Sequence, residues 1–491
     1  MRSKLILKKS SPFFLLLLPL FFVLHGYTEN FGLVTAPDAL SLLALYCVVA
    51  LFLAAVFYFV FRSWRKAALY TVALFAFHFF FGSMHDRLKA WFPNVFLSKY
   101  SFILPVALVL FVALFISIKR SHRTFVRTAS YLNTVLVILV LIETVMLGVK
   151  ATSFPPLHPG LLSWLRPCSA CDKPDVYLII ADEYAGQRQL KDQFGYDNSP
   201  FFDALTSRGF HVVPHSRSNY NFTPFSLASI TNFSYLPIRN IKHTLPDEPL
   251  ILRMIENNTL TKFFYQEGYT VYNNGIFDIL GQPRQAWSSL LPAKANYITA
   301  QTFLSRIYKD LYFNLITRFK IPWFVNDALY HNKITNEYLL NKTLQTAAKK
   351  DGPKFCYTHL QLPHPPFYFD SAGRELPADS LFDESNKRRY LDYLKYSNTR
   401  LLALVDGIQK ASSKPPVIVL MSDHGFRNFG FKQPGDSAYY FSNLIAISLP
   451  QKNYASVPDS LSAVNVFRMI LNTEFNQHLP LLADSTFYLK D

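Results

Sequence analysis

Residues 415–426 read PPVIVLMSDHGF. The run Val417–Met421 is apolar without interruption, as in a strand buried on both faces, and it ends in Asp423 and His424. A buried strand has no structural need for two ionisable side chains at its tip, and burying them costs free energy unless something binds them. The question raised is what Asp423 and His424 hold.

Two more apolar runs end the same way. DVYLIIAD (175–182) leads into Asp182 and Glu183, and PKFCYTHLQL (353–362) passes through His359 toward His364. Between them the chain alternates helix and strand signals. SPFFDALTSRG (199–209) suits a helix capped by Ser199, with Pro200 at its first position and Gly209 at its end. FHVVPHS reads as a strand, TPFSLASITNF as a helix start, LTKFFYQEG and YTVYNNG as helix then strand, and RRYLDYLKYSNTRLLALVDGIQK as a long helix. Such alternation predicts a mostly parallel α/β sheet sandwiched by helices, with its site beyond the carboxyl ends of the strands. A single strand ending in such residues is as well explained by a helix cap or solvated turn. Three together predict a metal site, and mixed carboxylate and imidazole ligands suit zinc or manganese better than calcium.

The first part of the chain is different in kind. Of 491 residues, 50% are hydrophobic and only 17% charged, and the apolar excess lies before residue 150. Phe13–Tyr27, Ala39–Phe61, Ala67–Met84, Ser101–Ile118 and Tyr131–Val149 are nearly free of charge, which predicts about five membrane spans. The first is short and carries Pro19, so a signal-peptide apolar region is the alternative, but no small-residue cleavage site follows it.

The net charge of +16 invites a nucleic-acid reading, which the placement of the charge excludes. RSKLILKK, RSWRK and KRSHRTFVR fall on alternate loops, whereas GYTENFGLVTAPD is acidic and MHDRLKAWFPNVFLSK is mixed. By the positive-inside rule the basic loops are cytoplasmic, and an odd number of spans then delivers the rest of the chain to the periplasm or cell exterior. The expected division is a transmembrane domain at 1–150, a Pro-rich linker at 151–174 and a catalytic α/β domain at 175–491. In the linker, Cys168 and Cys171 form one CxxC without a partner pair for zinc, so a local disulfide is expected. His78 and Glu143 fall within spans, and helix–helix hydrogen bonding is their expected role.

A metal-dependent transferase or hydrolase needs a nucleophile. NYNFTPFSLAS (219–229) offers Thr223 ahead of Pro224, with Ser226 and Ser229 at helical spacing behind it. Thr before Pro at a helix start is also an ordinary N-cap. Equally, a helix N-terminus attracts anions, and a metal beside it would activate the hydroxyl.

PDVYLIIAD, TPFSLAS, HLQLPHPPF and VIVLMSDHG, in that order and spacing, resemble the sulfatase and alkaline-phosphatase superfamily. The layout of about five spans before the domain is similar to its lipoteichoic acid synthase and phosphoethanolamine transferase branches. The resemblance implies that Asp182, Glu183, Asp423 and His424 bind the metal. It implies that Thr223 takes the phospho-group and also ligates the metal, that His364 contacts the transferred group, and that His359 is a further active-site histidine. It departs from the pattern after SDHG, where Phe426 and Arg427 replace an acidic residue and no histidine follows closely, so a second metal site is not expected. Arg427 or Lys432 would supply positive charge to a substrate anion instead. No Cys or Ser lies in a C/S-x-P-x-R context, which speaks against sulfate-ester hydrolysis through formylglycine.

The expectation is a membrane-bound phosphotransferase that uses one divalent metal. It would move a phospholipid headgroup, of phosphoethanolamine or phosphoglycerol type, to a glycan or lipid acceptor through phospho-Thr223. The alternatives are a hydrolase of sulfate or phosphate esters and an inactive sensor or scaffold. Residues 240–350 carry no reading.

Overall fold

The computed structural model describes residues 11–93, 95–153, 160–168, 171–237, 248–285, 294–312, 330–381, 383–428 and 435–489. The chain forms two compact units, Met1–Pro156 with Ser288–Lys320, and Leu157–Trp287 with Ile321–Asp491. Residues 240–247, 286–293 and 313–329, and with them much of the stretch the sequence left unread, lie outside the described residues.

The first unit is helical: α1 (Phe14–Glu29), α2 (Ala36–Phe61), α3 (Trp64–Trp91), α4 (Tyr100–Arg120) and α5 (Val126–Ser153). By length and composition α2–α5 are each able to cross a membrane. α1 begins just after Pro12 and closes at Asn30, so its 16 residues span only about 24 Å at 1.5 Å per residue, short of a hydrocarbon core of ~30 Å. It is nonetheless a member of the bundle. Phe14 N donates to Asn133 Oδ1 at 2.7 Å, His25 Nδ1 lies 2.9 Å from Glu143 Oε1, and Lys150 Nζ donates to the Glu29 carbonyl at 3.0 Å. Matched in this order, the contacts make α1 and α5 parallel, as the first and last of five alternating helices must be. Glu143 is thus a helix–helix partner, while the His78 ring packs against Tyr46 and Phe79.

Two short helices from the middle of the sequence, Ala295–Thr299 and Phe303–Ile307, also belong to this unit. Glycines make room for them. A Cβ on Gly26 would come within 2.6 Å of Ile298, and one on Gly82 within 2.5 Å of the Gln301 carbonyl, to which Gly82 N donates at 2.8 Å. Phe303 packs on Phe77 and Phe81, Arg306 pairs with Asp86, and the Tyr100 hydroxyl donates to Asp310 Oδ2 at 2.5 Å.

The second unit is the α/β sandwich expected from the sequence. Its strands are β1 (Val176–Ala181), β2 (His211–Val212), β3 (Thr270–Asn274), β4 (Lys354–Leu360), β5 (Val417–Met421) and β6 (Ile445–Ser448), in the order β2-β6-β5-β1-β4-β3. β5, β1, β4 and β3 run parallel, and β6 is antiparallel to β5. Alternation buries both faces. Val176, Leu178 and Ile180 enter one core with Val417, Val419 and Met421, while Tyr177, Ile179 and Ala181 enter the other with Ile418 and Leu420.

Helices α6 (Gln187–Phe194), α7 (Ser199–Ser207), α11 (His331–Ala347) and α12 (Lys387–Ala411) cover the second face. The first is covered by α8 (Thr223–Asn232), α9 (Glu248–Glu256), α10 (Thr259–Gln266) and α13 (Val466–Glu474). Ser199 opens α7 rather than capping it; Asn198 is the N-cap, and Ser199 Oγ donates to Asp197 Oδ1 instead. FHVVPHS yields only a two-residue edge strand. Ahead of β1, Cys168 and Cys171 are joined in a disulfide, and Cys168 N donates to the Glu267 carboxylate.

Candidate active site

β1 lies between β5 and β4, with Ile180 opposite Met421 and Ala181 opposite Leu360. Three adjacent parallel strands therefore release their carboxyl ends at one place. Asp182, Asp423 and His424 each bring a ligand atom there, all within 4.8 Å of one another and all three buried.

Each side chain is held on one side and open on the other. Asp423 Oδ1 accepts from Glu183 N at 3.0 Å and from His424 N at 2.9 Å, whereas its Oδ2 has no hydrogen-bond donor. Asp182 Oδ2 lies 3.3 Å from His359 Nε2, and its Oδ1 also lacks a donor. His424 Nδ1 lies 2.8 Å from the Gly425 carbonyl, which can only accept, so Nδ1 carries a hydrogen and Nε2, 3.3 Å from Asp423 Oδ2, is the atom turned into the site. Unpaired buried carboxylate oxygens cost several kcal/mol each unless a cation meets them. The trio therefore fits a divalent ion.

Behind Asp182 runs a relay that the sequence reading missed. The buried Tyr357 hydroxyl lies 2.8 Å from His359 Nδ1, and His359 Nε2 faces Asp182 Oδ2 at 3.3 Å, where the ionised carboxylate can only accept. His359 is fully buried and serves Asp182, orienting it rather than opening to substrate. The signal was present: Tyr357 and His359 are two apart on one strand and share a face. Burial opposes the Asp182 charge, but His364, His359 and His424 together hold its carboxyl well below the usual range.

Thr223 stands opposite, at the first position of α8. Phe222 is the N-cap and makes no side-chain cap bond, and Thr223 Oγ1 instead lies 3.3 Å from His424 Nε2. Ser226 and Ser229 are spent locally: their hydroxyls donate to the Tyr220 and Ser234 carbonyls at 2.8 and 2.9 Å.

Glu183 stands outside the trio. Its φ of 59° is left-handed, uncommon for a residue with a side chain and typical of functional positions. The conformation is fixed from both ends, since its N–H donates to Asp423 and its carbonyl accepts from the Tyr390 hydroxyl at 3.0 Å. Glu183 Oε1 accepts from Arg427 N at 3.1 Å, and Oε2 lies 3.9 Å from His364 Nε2. His364 Nδ1 donates to the Pro365 carbonyl at 2.6 Å. Burial works against protonating His364, but the Asp182 and Glu183 carboxylates raise its pKa on balance. Arg427 is at the site, and Lys432 lies outside the described residues.

The sulfatase family profile matches residues 174–450. The chain belongs to the sulfatase family. Membership supports an enzyme, and the trio of converging ligand atoms could hold a divalent metal. Solved structures similar to this sulfatase-family chain include the C-terminal periplasmic domain of EcEptC from Escherichia coli, at 13% identity and TM-score 0.39, covering 67% of this chain and 94% of that one. A phosphonate monoester hydrolase of Agrobacterium radiobacter is 14% identical, with TM-score 0.36, and covers 62% and 75% of the two chains. A putative sulfatase from Bacteroides thetaiotaomicron is 12% identical, with TM-score 0.38, and covers 63% and 72%. No curated protein matches the sequence.

Proposed function

We propose that this sulfatase-family protein is a membrane-anchored phosphotransferase. It takes a phospho-headgroup, of phosphoethanolamine or phosphoglycerol type, from a phospholipid, holds it on Thr223 and passes it to a hydroxyl of a glycan or lipid. The observation that carries this reading is the Thr223 hydroxyl, which leaves the helix cap unmade and turns to His424 at 3.3 Å. Parallel α1 and α5, with basic loops on the cytoplasmic side, would place the catalytic unit in the periplasm or outside the cell.

Asp182, Asp423 and His424, with Thr223, would hold the metal, zinc or manganese by ligand type. When bound, such an ion lowers the pKa of an adjacent hydroxyl and neutralises phosphoryl charge. The Thr223 proton leaves to solvent, and Oγ1 forms a bond to phosphorus as the bond from phosphorus to the diacylglycerol oxygen breaks. His364, whose carboxylate neighbours favour its protonated form, gives the Nε2 proton to the departing alkoxide. In the second half the acceptor hydroxyl returns a proton to His364 and attacks phosphorus, and Thr223 Oγ1 departs and is reprotonated. His359 and Tyr357 keep Asp182 oriented throughout.

Intact mass of the purified full chain incubated with phospholipid tests this. An adduct of the headgroup phosphate on Thr223, absent from Thr223→Ala, and product on a glycan or lipid are expected. Free headgroup phosphate as sole product would make the protein a hydrolase of the same family.

A further inference from the structure

Arg427 occupies a position that the metal trio and the nucleophile leave unexplained. Its Nε lies 3.5 Å from Glu183 Oε1, and its guanidinium lies 4.5 Å from the centroid of the Phe222 ring. Glu183 follows the ligand Asp182, and Phe222 precedes the nucleophile Thr223. The arginine thus bridges the two halves of the site. Its side chain is 22% exposed, and among the described residues its terminal nitrogens donate no hydrogen bond. A guanidinium with a carboxylate 3.5 Å from Nε and a ring against its face presents its remaining fork outward, the geometry that reads two oxygens of a tetrahedral anion.

We infer that Arg427 is the anion clamp of this site, gripping non-bridging oxygens of the phosphoryl group as it reaches Thr223, and that Glu183 is its positioning carboxylate rather than a metal ligand. The inference rests on the phosphotransferase reading for the identity of the substrate, a phosphodiester with a charged phosphoryl oxygen. Two features single out Glu183. It lies outside the trio of converging ligand atoms, and its Oε1 already accepts the Arg427 backbone N–H while facing Nε. The left-handed backbone at Glu183 sets this carboxylate apart from that of Asp182, whose remaining oxygen belongs to the trio. The stack on Phe222 ties the clamp to the first turn of α8, so that clamp and nucleophile keep a fixed separation.

Direct binding of inorganic phosphate and of vanadate to the full chain in detergent, with metal content measured on the same samples, reads the clamp without turnover. Arg427→Gln should keep metal and fold while weakening phosphate at least about tenfold, and Arg427→Lys, which keeps the charge and loses the fork, should fall between. Glu183→Gln should keep full metal and lose about three- to tenfold in phosphate affinity, because the negative charge that draws the guanidinium into place is removed while the acceptor for the Arg427 backbone N–H remains. Added guanidinium should restore part of the phosphate binding lost in Arg427→Ala. Wild-type phosphate affinity in Arg427→Gln, or metal loss in Glu183→Gln, would overturn the inference. Failure of the phosphotransferase reading shows separately, as an absent Thr223 adduct in a protein whose phosphate binding still depends on Arg427.

Discussion

His359 Nε2 lies 3.3 Å from Asp182 Oδ2 while the Tyr357 hydroxyl holds its other nitrogen at 2.8 Å, so one strand supplies both the group that turns the metal-facing carboxylate and the group that sets its tautomer. Tyr357→Phe removes the outer member and leaves the metal-facing atoms untouched. Metal affinity, followed by chelator competition, should fall about 10–100-fold in a folded protein. An unchanged affinity would make the relay a packing feature only.

Asp423→Asn separates holding from binding. Its Oδ1 still accepts from the Glu183 and His424 amides, so the turn survives, while the open Oδ2 is replaced by an amide that cannot ligate. Metal content by elemental analysis should drop below about one tenth of the wild-type value, because the charged ligand is gone. Chelation should lower the melting temperature of the wild type and leave that of Asp423→Asn in place, since only the former loses a stabilising ligand. Full occupancy in the variant would remove Asp423 from the ligand set.

Thr223 and Ser226 should dissociate activity from stability. The Thr223 hydroxyl caps nothing, so Thr223→Ala should shift the melting temperature by about 2 °C or less while abolishing turnover. Ser226 Oγ is buried and bonded to the Tyr220 carbonyl, so Ser226→Ala should cost about 1 kcal/mol and retain turnover in the folded fraction. Turnover by folded Thr223→Ala would be fatal to the covalent mechanism.

The strand tips were legible because continuous apolar runs name their own ends, and a parallel sheet brings the ends of β5, β1 and β4 together. The expected disulfide at Cys168 and Cys171 likewise follows from spacing. Less could be read where partners are distant in sequence. Whether Thr223 capped its helix depended on His424, which lies 201 residues away. The sequence offers Arg427 and Lys432 alike as the positive charge, and only Phe222 and Glu183, more than 200 residues away, place Arg427 at the site. The short length of α1 was visible, but its parallel run along α5 rests on Asn133, Glu143 and Lys150, which no local pattern ties to it.

Orientation across the membrane has its own test. A reporter fused after Lys150 should be active only outside the cytoplasm, and alkylation of the unreduced, unfolded chain should label Cys47 and Cys356 alone. Four labelled cysteines, or a reporter active in the cytoplasm, would reverse the assigned side.

Gly82→Leu should displace the segment at 294–312, because its side chain would meet the Gln301 backbone rather than a flexible tip. Faster proteolysis within that segment, with the α2–α5 helices still protected, is the expected readout.

The glycine notches at Gly26 and Gly82 have a topological consequence. The chain passes between the helical unit and the catalytic unit three times, around 156, 287 and 320. A protease that cuts the linker before β1 would therefore sever the sequence without freeing the enzyme, since Ile298, Gln301 and Phe303 remain seated among α1 and α3. In such a protein shedding from the membrane requires more than one cut, and a fragment that starts at β1 carries a piece of the bundle whose packing partners it has left behind.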